Sequence, residues 1–167
     1  KFLKTALEAS GDVVVTESEP PVIPPITPEA YDIVIFNNVD PDKLLSGTVD
    51  ELRAFVSSGK SLVVTYQEAI NALKLGNLLP VTIKETYGET VVSVTVENQF
   101  TKDVEFGSVK QHYRAEADNS TIVLATGVTS GSPVIALKGY RSEKGGDVGS
   151  GAGSGAGSGA AAKGGKL

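Results

Sequence analysis

Two short polar clusters, each following an apolar run, are the residues best equipped for chemistry. The run Tyr31-Asp-Ile-Val-Ile-Phe leads into Asn37, Asn38 and Asp40, and Ser61-Leu-Val-Val-Thr65 leads into Tyr66, Gln67 and Glu68. Amide, carboxylate and phenol groups at the carboxyl ends of strands suit the recognition of hydroxyl groups, and Tyr66 could stack on a sugar face. Catalytic groups are scarcer. The chain has no Cys, which excludes thiol catalysis, disulfides and Cys-bound zinc. Thr65 could serve as a nucleophile only with an adjacent base. The single His, His112, stands next to Tyr113 on an expected strand and reads as a surface or half-buried side chain. Asp40-Pro-Asp42 has the pattern of a turn, in which Asp caps and Pro presets the backbone angle. The glycines of the ordered region are isolated and match neither phosphate-binding pattern. No catalytic residue, metal or cofactor is expected.

The elements that position these clusters are read from periodicity. Residues Lys1 to Ser10 predict a helix with Phe2, Leu3, Ala6 and Leu7 on one face and Gly11 as its stop. Asp12 to Thr16 predicts a short strand. Glu17 to Pro28 carries five prolines and predicts an extended connection. Tyr31 to Val39 and Ser61 to Tyr66 predict strands buried on both faces of a parallel sheet. Between them, Thr48-Val-Asp-Glu51 is a capping box, Leu52, Phe55 and Val56 line the helix's buried face, and Gly59 ends it. A further helix is expected over Glu68 to Leu75.

The second half alternates apolar and polar residues. Val81 to Lys84 and Thr90 to Glu97 predict a hairpin around Tyr87-Gly88 with one wet face. Val109 to Ala115, Thr121 to Ala125 and Pro133 to Leu137 predict strands, the last two split by the turn Gly127 to Ser132. Past Tyr140 the core signal ends, and Gly149 to Ala160 repeats a Gly/Ala/Ser unit too small in its side chains to offset its ordering entropy. The expected division is a domain over 1–140 and a flexible linker and tail over 141–167.

Four stretches carry a resemblance to a known family: Phe2 to Ala9, Tyr31 to Val39, Glu51 to Val64, and Asn98 to Phe106 with Ile122 to Ala136. Together they resemble the class I glutamine amidotransferase-like domains, in the non-catalytic versions found in larger surface or membrane proteins. The resemblance implies an α/β, flavodoxin-like, mostly parallel sheet flanked by helices, with an added β-hairpin in the second half. It departs where chemistry would sit. Active relatives place a Cys after the strand matching Ser61 to Tyr66, and a His with a Glu further on; here stand Thr65, Tyr66 and Gln67, and His112 has no such partner. The strand that opens the family and its usual last strand are also missing, so the resemblance implies either a strand supplied by another chain or segment, through self-association or edge pairing, or a sheet order that differs from the family's.

Charge narrows the partners. A net charge of −5 argues against nucleic acid, and no stretch approaches the roughly 20 apolar residues that a bilayer crossing needs. Absence of Cys together with the resemblance places the chain outside the cell or in its envelope. Three functional expectations follow: a non-catalytic interaction or structural module of a larger cell-surface protein, assembling through a sheet edge; a sugar-like ligand binder using Asn37, Asn38, Asp40, Tyr66, Gln67 and Glu68; and a hydrolase with an atypical Thr or Asp centre.

Overall fold

In the computed structural model, which describes residues 2–140, α1 (Phe2–Glu8) leads through an extended segment into the first strand, β1 (Ile33–Phe36). Helix α2 (Thr48–Ser57) and strand β2 (Ser61–Val64) complete a βαβ unit. β1 and β2 run parallel, from Ile33 beside Ser61 to Phe36 beside Val64. Side chains alternate across a strand, so Val34, Phe36, Leu62 and Val64 share the face that packs on α2. Leu52 and Phe55 are fully enclosed there, joined by Leu73, Leu75 and Leu78 from the chain that follows β2. Each such side chain stabilises the fold by about 1.5–3 kcal/mol.

The parallel arrangement stops at two strands. The other six are antiparallel: β3 (Val81–Tyr87) pairs with β6 (His112–Ala117), and β5 (Ser108–Val109), β4 (Thr90–Val94), β7 (Thr121–Gly127) and β8 (Pro133–Lys138) form a four-stranded sheet in that order. The curved, half-barrel result is not the flavodoxin-like parallel sheet that the resemblance implied. The physical reason lies in cover. A parallel sheet needs apolar residues on both faces and crossover helices to bury them. Only α2 plays that part here; α1 buries no residue, and Ile33 and Val63 on the opposite face stay 56% and 44% exposed. The expected gap left by missing terminal strands falls with the parallel assignment.

Local expectations are corrected too. Residues 81–97 form no hairpin, because β3 and β4 enter different sheets at the corner Gly88-Glu89. β6 and β7 separate likewise at the corner 118–120, where Asp118 Oδ1 accepts the Ser120 amide at 2.8 Å. Asp12 to Thr16 is not a strand; the nearby pairing is a single bridge, Glu19 to Val22, around the cis Pro20-Pro21 turn. The helix expected over Glu68 to Leu75 is instead one 3-10 turn, Ile70–Leu73, with a second, Gly76–Leu78, just beyond the expected span. Thr48 does not cap α2: it is buried, and Gly47, at φ 94°, occupies the cap position. The linker and tail expected over 141–167 lie outside the described residues.

Candidate functional site

The β1–β2 rim brings several of the expected residues together, largely to bind one another. The Thr65 hydroxyl donates to Asn37 Oδ1 at 2.8 Å. The buried Gln67 accepts the Val39 amide on Oε1 at 2.8 Å, closing the two strand ends together. That bond orients the amide and leaves Gln67 Nε2 buried with no acceptor among the described residues. Tyr66 stacks on Tyr113 of β6 with ring centroids 4.9 Å apart, and its hydroxyl donates to Gln111 Oε1 at 3.4 Å. Tyr113 in turn donates to the Gln67 carbonyl, and burial pushes its hydroxyl pKa up. Asp40 is spent locally, accepting the Asp42 amide at 3.1 Å and pairing with Lys43 at 3.4 Å. Asn38, at φ 55°, and Glu68 are exposed. Among the described residues no three His, Cys, Asp or Glu side chains gather as a metal site requires.

His112 is the residue that sequence reasoning placed wrongly. It is 3% exposed, with Nδ1 2.9 Å from the Gly88 carbonyl and Nε2 2.6 Å from Ser130 Oγ. A carbonyl can only accept, so Nδ1 donates to it, and Nε2 shares a hydrogen bond with the serine hydroxyl. A serine bonded to an imidazole has the outline of a nucleophile and its base. Four amides of the loop around it are already committed. Ser132 donates to Ser130 Oγ itself, Gly131 to the Gly127 carbonyl, Thr129 to Thr90 Oγ1 and Val128 to the Val91 carbonyl. No N–H of that set is left for a developing oxyanion. The cluster instead ties the β3–β4 corner, β6 and the β7–β8 loop to one another. Gly127 permits the approach: a Cβ there would lie 2.9 Å from Thr90 Cγ2 and 3.0 Å from Ser130 Oγ. Only the glycines and serines of 127–132 signalled this loop in the sequence.

The open space lies elsewhere. β3 pairs with β6 on one side, and no strand among the described residues pairs with the other. Two adjoining cavities, of about 320 and 230 Å³, run beside Val81 and Thr82 and share Gly76 and Leu79. The larger also touches Ile83, so three consecutive residues of the strand line it. Consecutive side chains point to opposite faces, so a cavity meeting all three lies against the strand's edge rather than on one face. At the far end of the smaller cavity stand Asp118 and Lys138, paired at 2.8 Å. The Lys138 ammonium and the Ser120 hydroxyl and amide hold the Asp118 carboxyl well below the usual carboxylate range, and Asp118 raises the Lys138 pKa.

A βαβ unit joined to a curved antiparallel half defines the class: a small mixed domain with strand edges left open. Residues 1–148 match the family described as Domain of unknown function (DUF7408), and the chain belongs to that family. Two solved structures share the fold. A cytoplasmic protein of Salmonella typhimurium LT2, STM1381, aligns with a TM-score of 0.68 at 15% identity, over 84% of this chain and 71% of its own. A second cytoplasmic protein of Salmonella typhimurium, STM3548, aligns at 0.60 and 13% identity, over 73% of this chain and 62% of its own. No curated protein matches the chain. These findings, with the antiparallel topology, replace the amidotransferase-like assignment. They also remove the support for an extracellular or envelope setting, because both structural neighbours are described as cytoplasmic proteins. Among the described residues no helix is long and apolar enough to cross a membrane.

Proposed function

We propose that this domain is a non-catalytic interaction module that takes a protein partner by strand addition along β3. One observation carries the reading: a strand of seven residues, Val81–Tyr87, is paired on a single side while its other side borders a partly apolar groove. Unpaired amides and carbonyls along such an edge are a template for another strand, and adjoining pockets give the added strand its specificity. The commitment of four loop amides beside Ser130, those of Val128, Thr129, Gly131 and Ser132, to bonds within the fold supports the non-catalytic part. A seven-residue alternating Val/Thr peptide tests the proposal, titrated into the isotope-labelled chain and followed by amide chemical shifts. Shifts centred on 81–83 are expected, and alternate backbone N-methylation of the peptide should abolish them. Equal shifts from both peptides, or none at β3, would overturn edge addition. Ester or amide turnover that disappears in Ser130→Ala would overturn the non-catalytic part.

A second reading, a small hydroxylated ligand at the β1–β2 rim, rests on the buried Gln67 Nε2 without an acceptor. Such a group costs about 1–3 kcal/mol until something accepts from it. A sugar series that raises the melting midpoint of the native chain and not of Gln67→Leu supports this reading. No shift with any sugar removes it.

A further inference from the structure

The groove beside β3 is not uniform. Its larger cavity is floored by Ile70 and Leu75, both buried, and walled by Leu79 and Ile83, which are half-buried. At about 320 Å³ it falls at the small end of ordinary ligand pockets, roughly 300–1,000 Å³. One cation stands on its lining. Lys74 is exposed and holds φ 54° and ψ 32°, the left-handed conformation that residues with a Cβ rarely adopt. Its amide donates to the Asn71 carbonyl at 3.2 Å and closes the 3-10 turn that forms the groove wall. Lys74 pairs with no carboxylate among the described residues, whereas Lys84, Lys138 and Arg114, on the strands around the groove, are paired with Glu116, Asp118 and Glu85. The smaller cavity is neutralised at its end by Asp118 and Lys138. The groove therefore presents a strand edge, a partly apolar hollow and one uncompensated positive charge.

We infer that the partner at β3 is an extended peptide segment carrying an aliphatic side chain for the hollow and an adjacent carboxylate, Glu or Asp, that pairs with Lys74. This rests on the strand-addition reading and adds the partner's side-chain chemistry to it. Main-chain pairing supplies an affinity that no sequence pattern selects, and the Lys74 charge supplies selection among strands. A basic segment would meet like charge at the same point.

Three peptides separate the two claims in the full chain: the alternating Val/Thr peptide, the same peptide with Glu replacing one Thr, and the same with Lys there. Amide shifts report the site and fluorescence anisotropy the affinity. The Glu peptide should bind about fivefold more tightly than the uncharged one, the scale of a partly exposed ion pair, and the advantage should shrink with salt. Lys74→Glu should reverse the order of the Glu and Lys peptides. Lys74→Gln, which keeps the length of the side chain, should make the two peptides equal. If the Glu and Lys peptides bind alike and Lys74→Glu changes neither, the acidic partner is overturned while edge addition stands. If no peptide shifts residues 81–83, both claims fall.

Discussion

The two halves of this domain are held by different means. The βαβ half, β1–α2–β2, rests on enclosed Leu and Phe side chains, and its polar rim groups serve mainly to close strand ends. The antiparallel half is thinner in enclosed apolar side chains and relies on polar pins, with the buried His112 at the centre of one and the exposed Asp118 at a corner of another. The contrast teaches where partner binding can be placed. An apolar core tolerates no open groove through it, whereas a sheet set by corner bonds can leave an edge free without losing its shape.

Breaking the first half should cost most. Phe55→Ala removes a 1%-exposed ring from the α2 face and should destabilise the chain by about 3–5 kcal/mol in urea melts. The polar half should respond on a smaller scale. His112→Ala leaves the Gly88 carbonyl and Ser130 hydroxyl without their partner, at about 1–3 kcal/mol, and fast amide exchange at residues 88–90 should accompany it. Gly127→Ala drives a methyl into Thr90 and Ser130 and should cost a similar 1–3 kcal/mol, with Ser130→Gly in the same chain recovering part of the loss. Were Phe55→Ala milder than His112→Ala, the contrast between the halves would collapse.

Acid should give the smallest effect and sharpen the comparison. The Asp118 pKa is lower in the folded chain than its ordinary 3.8, so the unfolded chain binds the proton first as pH falls. The stability it contributes is complete well above that ordinary value and is lost as pH drops below about 4. Asp118→Asn should flatten the dependence of the melting midpoint on pH in that acid range by lowering the neutral value, and only slightly, because the pair with Lys138 is exposed to solvent.

What was legible in the sequence follows the same division. The parallel register of β1 and β2 could be read because two apolar runs flank a helix whose buried face, Leu52, Phe55 and Val56, is written at helical spacing. The strands of the second half could be read individually, as β6, β7 and β8 were, but not their partners. Alternation tells which face of a strand is wet and says nothing of which neighbour lies beside it. Tyr87-Gly88 therefore looked like a hairpin turn when it is a corner between sheets. Thr48 looked like a cap because its spacing to Glu51 fits one, yet burial turned the side chain inward. Asn37 and Gln67 stand at the strand ends as expected, while the bonds that occupy them come from Thr65 and Val39, pairings that the residue pattern does not mark. His112 was missed for a related reason: its partners, Gly88 and Ser130, stand 24 and 18 positions away.

The imidazole at the far end of β3 bears on how a guest strand would be received. By gripping the carbonyl just past Tyr87 and fastening it to the β7–β8 loop, His112 fixes the rail before anything arrives. Under the proposed strand addition, a visitor would then surrender mainly its own disorder on docking. Recognition at this edge should accordingly proceed with almost no rearrangement of the domain, and loosening that grip should slow or weaken capture even though the imidazole itself lies well away from the hollow.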